Sequence, residues 1–397
     1  MSELPWLTIV GLGEDGPDGL SPASLDALQG AEIIMGAARH LELLPDMDAE
    51  LVTWPVPFAD GLPVLMSYRR RRVVALASGD PFWHGAGSVL VRDLDVGEWR
   101  ALPAVGTMSL AAAKLGWALE KTPCFGLHAA PFARLRSVLA PGARILATVR
   151  DGAAVGELAA WLDGAGFGGS NLHVLEALGG PRERVRSCGL HDVPSDIQHP
   201  VCVGLEIAGD GAVLPLASGR HDAFFDNDGQ ITKRPVRALT LSALAPKAGE
   251  LLWDIGGGSG SIGLEWLLAH PTMQAAAIEI NAERAARIAQ NAASLGVDLQ
   301  VVTGAAPDAL DGLPLPDAVF IGGGISQEML DWIWRKLPIG TRLIANGVTL
   351  EAEILLAQWH AQKGGDLLRV ELSESKPLGR KRGWKASYPI VQWSVTL

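Results

Sequence analysis

The sequence predicts an α/β protein of two domains, each built on buried strands that end in glycine-rich loops. Its length, 397 residues, exceeds what one hydrophobic core commonly serves. Short apolar runs that stop at glycine recur in both halves, with helix-start signals behind them. Between the halves, a Gly209-Asp210-Gly211 break and a polar segment at 216–229 mark a junction. The boundary falls near 210–220, giving domains of 1–210 and 220–397.

Composition narrows the class. The chain is 48% hydrophobic and 19% charged, with 47 glycines and 25 prolines, as expected of a compact, loop-rich protein. A net charge of −11 argues against a nucleic-acid partner. Cys124, Cys188 and Cys202 have no metal-ligand spacing, so no metal site is expected and the thiols read as reduced, in a cytoplasmic protein. Glu3 without a basic stretch is unlike a signal peptide. No apolar run approaches the roughly 18–20 residues of a membrane span, so no membrane partner is expected.

In the first half, residues 6–10 form a β-rich run that stops at Gly11-Leu12-Gly13. Ser21 as N-cap and Pro22 at the first helical position then start a helix. Residues 31–35 read as a strand that gives way to a helix through His40. Residues 73–77 are a buried strand running into Ser78-Gly79-Asp80-Pro81-Phe82, where small residues let backbone approach a ligand and Asp80 supplies a fixed charge. A strand end at 102–105 leads through Gly106 and Thr107 to a helix at 110–119. Strands follow at 145–149, 171–175 and 200–207, with a helix at 154–164. The basic run 68–72 reads either as a solvated helix end or as a carboxylate-binding edge.

The second half centres on residues 251–263, LLWDIGGGSGSIG. An apolar strand reaches Asp254 and Ile255, then a turn of Gly256, Gly257, Gly258, Ser259 and Gly260 opens a helix expected over 261–270. Such a turn aims backbone NH groups at a ligand above the sheet edge. A dinucleotide site has its acid about 20 residues beyond the glycines. Here an acid stands two residues before the first glycine, where it would repel a pyrophosphate but suits the ammonium end of S-adenosylmethionine (SAM). The next apolar run, 275–278, ends at Glu279, placed to accept ribose hydroxyls. A nicotinamide or flavin nucleotide site and a purely structural turn stay open as alternatives. Further strands are expected at 299–302, 316–321 and 341–345, with helices from Pro235 to 245 and over 282–295. The third strand leads to Gly304 and Ala305, and the fourth to Gly322-Gly323-Gly324.

The motifs G-L-G, L-S-P, A-S-G-D-P-F and P-A-V-G-T-M-S-L-A-A-A-K-L-G-W, spread over about residues 5–210, resemble the tetrapyrrole methylase family. The chain departs from that family's G-x-G-P-G at 11–16 and from its H-G-R at His128-Ala129-Ala130. Over 220–397, I-T-K…V-R-A-L-T-L-S-A-L, D-I-G-G-G-S-G-S-I-G-L-E, A-I-E-I-N, G-A-A-P-D-A-L, P-D-A-V-F-I-G-G-G and L-I-A-N-G-V-T-L-E resemble the decarboxylating precorrin methyltransferases of cobalamin biosynthesis. Pro235 stands where that family usually has an acid.

The resemblance implies a tetrapyrrole methylase fold of two α/β subdomains joined to a Rossmann-like class I methyltransferase. It further implies two SAM sites per chain, a precorrin tetrapyrrole substrate and a homo-oligomer. One SAM site would use Gly11, Gly13, Ser78, Gly79, Asp80 and Thr107. The other would use Thr232, Asp254, residues 256–260, Glu279, Gly304 and Ala305. The implied reaction is methylation at ring carbons 5 and 15, with loss of carbon dioxide from the acetate on carbon 12. Glu351 and Asn346, after the fifth strand, are the candidates for a direct role in decarboxylation. The run 376–385 holds five cations; it is either a solvated hairpin loop between strands at 368–372 and 389–395 or a substrate clamp. In the clamp, Arg380 and Arg382 would bind carboxylates and Trp384 would stack on the ring. A dehydrogenase, an RNA-modifying methyltransferase and a non-catalytic tetrapyrrole or SAM carrier are the rival functions.

Overall fold

The structure, a computed structural model, describes residues 5–397. The chain divides into two compact units, one ending at Ala212 and the other formed by residues 213–397 together with the short stretch 133–137.

The first unit holds two five-stranded sheets. One contains β1 (Leu7–Leu12), β2 (Ile33–Gly36), β3 (Glu50–Thr53), β4 (Val73–Ser78) and β5 (Trp99–Leu102), all parallel, in the order β3-β2-β4-β1-β5. Every residue of β1 is buried, which is why it reads as an unbroken apolar run rather than an alternating one. The other contains β6 (Cys124–Leu127), β7 (Arg144–Val149), β8 (Asn171–Glu176), β9 (Arg184–Gly189) and β10 (Val201–Glu206), in the order β6-β7-β10-β8-β9. Only β6 and β7 pair in parallel.

The second unit is a seven-stranded sheet. Its strands are β11 (Leu251–Ile255), β12 (Gln274–Glu279), β13 (Gln300–Thr303), β14 (Ala318–Ile321), β15 (Arg342–Gly347), β16 (Asp366–Val370) and β19 (Ile390–Thr396). The order is β13-β12-β11-β14-β15-β19-β16, parallel from β13 to β15, with β19 antiparallel to both neighbours. That is a Rossmann-like sheet, and its strand order reverses between β11 and β14, where such sheets open a ligand crevice. On one face Trp253, Ile255, Val319 and Ile321 pack with Met329, Ile333, Trp359 and Trp393; Trp334 stacks on Trp393 at 5.8 Å.

Several expectations shift. The helix expected over 261–270 spans Ser261–Leu267, because Pro271 disfavours helical backbone just before it. The strand end expected at 102–105 falls at Leu102, and the following helix runs Thr107–Leu115, closed by Gly116 in the left-handed region at φ 65°. The hairpin expected at 376–385 takes the form of two paired strands, β17 (Ser373–Leu378) and β18 (Lys381–Ala386), both almost wholly exposed. Within the polar junction segment 216–229, Phe225 is buried, packing with Leu214, Leu264, Ala292 and Leu295. The basic run 68–72 is paired within its own unit, with Arg69 on Glu98 at 2.5 Å and Arg71 on Glu50 at 3.1 Å.

Candidate functional site

In the second unit, the turn after β11 is fixed by side chains from three neighbouring elements. Asp254, 1% exposed, accepts a hydrogen bond from the Gly263 amide at 2.8 Å. Burial pushes its carboxyl up to about 7, and the charge of Glu279 adds to the rise. Glu279, at the end of β12, accepts from the amides of Gly258 at 2.8 Å and Asn281 at 2.9 Å. Two bonds leave further acceptor positions on that carboxylate. Asn291 donates to the Ser259 carbonyl at 3.0 Å. Gly258 has φ 59°, and a Cβ there would sit 3.0 Å from the Gln230 carbonyl oxygen, so only glycine suits the position.

The turn faces the loop after β14 across the crevice. A Cβ on Gly256 would lie 2.9 Å from the backbone of Gly323, whereas Cβ atoms on Gly323 and Gly324 would meet nothing within 4 Å. Open space therefore adjoins the turn, as a bound cofactor requires. Gly304, after β13, donates its amide to the Glu279 carbonyl at 3.0 Å, and Ala305 beside it is exposed. The Thr232 carbonyl accepts from Arg237. Asp254, 256–260, Glu279, Gly304 and Gly322–324 thus gather at the carboxyl edge of one sheet.

In the first unit, the loops after β4, β1 and β5 adjoin because those strands are neighbours. Gly79 donates to the Leu12 carbonyl at 3.0 Å, and the Gly79 carbonyl accepts from Ala104 at 3.1 Å. A Cβ on Gly11 would overlap the Gly79 carbonyl oxygen. Asp80 turns one carboxylate oxygen to the Phe82 amide at 2.8 Å. Ser78 accepts from Arg39 at 2.5 Å and sits 3.1 Å from His40 Nε2. Glu14, next to Gly13, pairs with Arg39 at 2.5 Å and Arg182 at 2.9 Å. Thr107 starts the helix that follows the β5 loop.

Sequence reasoning missed this polar group of Glu14, Arg39, His40 and Arg182. Burial holds the His40 imidazole down at about 3, helped by Arg39, so it stays neutral. His128 is also shifted down, by burial first and then by His84 and Arg39.

The other expected positions lie apart from the turn in role. Asn346 has its carboxamide tied to Thr240 at 2.9 Å and to Gln392 at 2.9 Å. Glu351 is exposed in the first turn of the helix Leu350–Lys363. Arg382 folds back on Ser375, donating to its hydroxyl at 2.8 Å and its carbonyl at 2.9 Å. Arg380 is exposed at the hairpin tip, and Trp384 is 80% exposed. Among the described residues no cluster of His, Cys, Asp or Glu is arranged to hold a metal ion, and no helix is long and apolar enough to cross a membrane.

A family profile described as Tetrapyrrole (Corrin/Porphyrin) Methylases matches residues 6–194, and one described as Precorrin methyltransferase domain matches 223–397. A precorrin-6Y C(5,15)-methyltransferase (decarboxylating) of Sinorhizobium sp is 49% identical across 99% of this chain and 96% of its own length. The chain belongs to this methyltransferase family. Membership implies SAM as methyl donor. Two shorter relatives in Salmonella typhimurium divide the name between them. A cobalt-precorrin-6B C(15)-methyltransferase (decarboxylating) is 32% identical over 40% of this chain and 85% of its own. A cobalt-precorrin-7 C(5)-methyltransferase is 32% identical over 28% of this chain and 55% of its own.

Proposed function

We propose that this chain methylates a precorrin at carbons 5 and 15 and removes the carboxyl of the carbon-12 acetate, with one SAM bound in each unit. One observation carries this: each unit has its own set of glycine-rich loops at the carboxyl edge of a parallel sheet, in a chain matched end to end by a relative named for both methylations and decarboxylation. The relatives' names give no support to an RNA-modifying or carrier role.

When bound, SAM supplies a methyl group on a sulfonium sulfur. The residues of the chain bind and orient. In the second unit the free acceptor positions of Glu279 suit ribose hydroxyls, the buried Asp254 favours a cation above the turn, and Gly304 and Ala305 border the adenine end. In the first unit Gly11, Gly13, Ser78, Gly79, Asp80 and Thr107 line the corresponding edge. A meso carbon of the reduced macrocycle is enamine-like and attacks the methyl carbon. Transfer would break the methyl carbon–sulfur bond, release S-adenosylhomocysteine and leave the ring to give up a proton. Holding the two partners in line is then the main catalytic contribution.

Decarboxylation needs the macrocycle protonated first, so that the electron pair of the breaking carbon–carboxyl bond passes into the ring as carbon dioxide departs. Glu351, exposed beyond β15, is the acid we assign to that protonation. Asn346, locked by Thr240 and Gln392, has no proton to titrate and suits orientation of the acetate. Arg380, Arg382 and Trp384 form the clamp for substrate carboxylates and ring. Carbon 5 falls to the first unit, and carbon 15 with decarboxylation to the second. We also infer a homo-oligomer, since Leu367 and Leu368 stay 39% and 46% exposed on the edge strand β16. The test is mass spectrometry of a precorrin-6Y incubation of the full chain with labelled SAM. Two labelled methyl groups and loss of one carbon dioxide are expected; product with neither overturns the assignment.

A further inference from the structure

Residues 213–233 lead into the second unit as a strap, and its fastening is more elaborate than a connector needs. At its start, Glu265, 2% exposed, accepts from the amides of Gly219 at 2.7 Å and Arg220 at 2.9 Å. Glu265 also accepts from Arg237 at 2.7 Å, and Arg237, itself fully buried, donates to the carbonyls of Arg220 and Thr232 and to Asp222 at 3.0 Å. At its middle stands Asn291. Asparagine is a poor residue for the interior of a helix and a costly one to bury. Yet Asn291 is 3% exposed inside the helix Ala282–Leu295. Its oxygen accepts from the Asp226 amide at 2.9 Å, and its nitrogen donates to the Asp226 carbonyl at 2.9 Å and the Ser259 carbonyl at 3.0 Å. One carboxamide therefore joins the strap to the glycine turn. Outside it, Asp228 pairs with Arg284 at 2.8 Å and Arg287 at 3.3 Å. Beyond these anchors the Gln230 carbonyl comes to rest over Gly258.

We propose that Asn291 is a positioning residue for the SAM site of the second unit, setting the strap as a cover over residues 256–260. The proposal rests on the assignment of that turn to SAM. Asn291 does not reach the cofactor; it fixes together the floor of the site and its cover. Loss of the carboxamide frees the cover, so SAM leaves faster while the chemistry of a bound SAM is unchanged.

The test uses the full chain and compares Asn291→Leu, Asn291→Asp and the surface variant Asp228→Asn. Asn291→Asp keeps the acceptor for the Asp226 amide and loses the donor to the two carbonyls. Two quantities are read: the KM for SAM in carbon-15 methylation, and SAM-induced protection from hydrogen exchange over 226–233. For both Asn291 variants the KM should rise about tenfold or more, with kcat within about twofold and the SAM-induced protection lost. Asp228→Asn, which leaves the core untouched, should raise the KM about threefold. A purely structural role would lower the unfolding temperature and leave both quantities as in the wild type. That outcome, or an unaltered Asp228→Asn if the Asn291 variants do not fold, overturns the proposal. Absence of SAM-induced protection anywhere in 251–305 of the wild type would instead overturn the SAM assignment, and the proposal with it.

Discussion

Replacing Asp254 by asparagine separates two effects that the wild type combines. The carboxyl is 1% exposed and raised to about 7, burial being the larger cause and Glu279 the smaller. An unfolded aspartate releases its proton near pH 4, so between about pH 4 and pH 7 the folded chain keeps a proton that the unfolded chain has lost. Stability therefore falls as pH rises through that window and is level above it. A gap of about three pH units corresponds to roughly 4 kcal/mol. The Asp254→Asn side chain would retain an acceptor for the Gly263 amide at nearly the same volume and carry no charge. Without ligand, the variant should hold its unfolding temperature from pH 5 to pH 8 better than the wild type, as scanning calorimetry of the full chain would show. With ligand the order reverses. A cation above the turn favours ionised Asp254, so SAM binding to the wild type near pH 6 should release a proton and give a binding enthalpy that depends on the buffer. The variant should lose that proton release and one of the two SAM molecules. Parallel pH profiles for the two proteins, or an undiminished stoichiometry, would refute the account.

Gly11→Ala should cost on the order of 1–3 kcal/mol or more, because its methyl group overlaps the Gly79 carbonyl, and should abolish carbon-5 methylation in a product assay. Glu279→Gln in the full chain should still yield product methylated at carbon 5 but should lose carbon-15 methylation, whereas doubly methylated product at the wild-type rate would contradict the division of labour. Arg380→Glu, at the hairpin tip, should raise the KM for precorrin, and added salt should reproduce the effect in the wild type; an unchanged KM would make the cationic hairpin a solvated surface feature.

The parts legible in the sequence are those governed by local physics. β1, β4 and β11 are buried on both faces, so their composition alone marks them, and glycine at 11 and 258 answers a backbone demand that no other residue meets. Strands with mixed exposure, β3, β6 and β9, gave no such signal. The turn of the hairpin β17–β18 is legible, but its strands are not, because they are almost wholly exposed and charged and neither apolar alternation nor burial marks them. The helices Gln327–Lys336 and Leu350–Lys363 were available to a search for caps, since Ser326 and Thr349 each accept from an amide three residues on. Pairs set by tertiary packing were beyond reach. Glu14 and Arg182 lie 168 positions apart, and Asn291 and Asp226 lie 65 apart; no local pattern couples them.

The fastening of Glu265 also limits where this polypeptide can be divided into two genes. A break upstream of Gly219 leaves the carboxylate with all its donors. A break a few residues later, at the start of the matched domain at 223, removes the amides of Gly219 and Arg220 and the Arg220 guanidinium together. Among the described residues Arg237 would then be the sole remaining donor to a buried charge, an arrangement that costs several kcal/mol when partners are missing. Fission of such a fused enzyme therefore leaves Glu265 satisfied only upstream of Gly219, within the junction that composition marks and ahead of the matched domain at 223, unless a compensating change at 265 comes first.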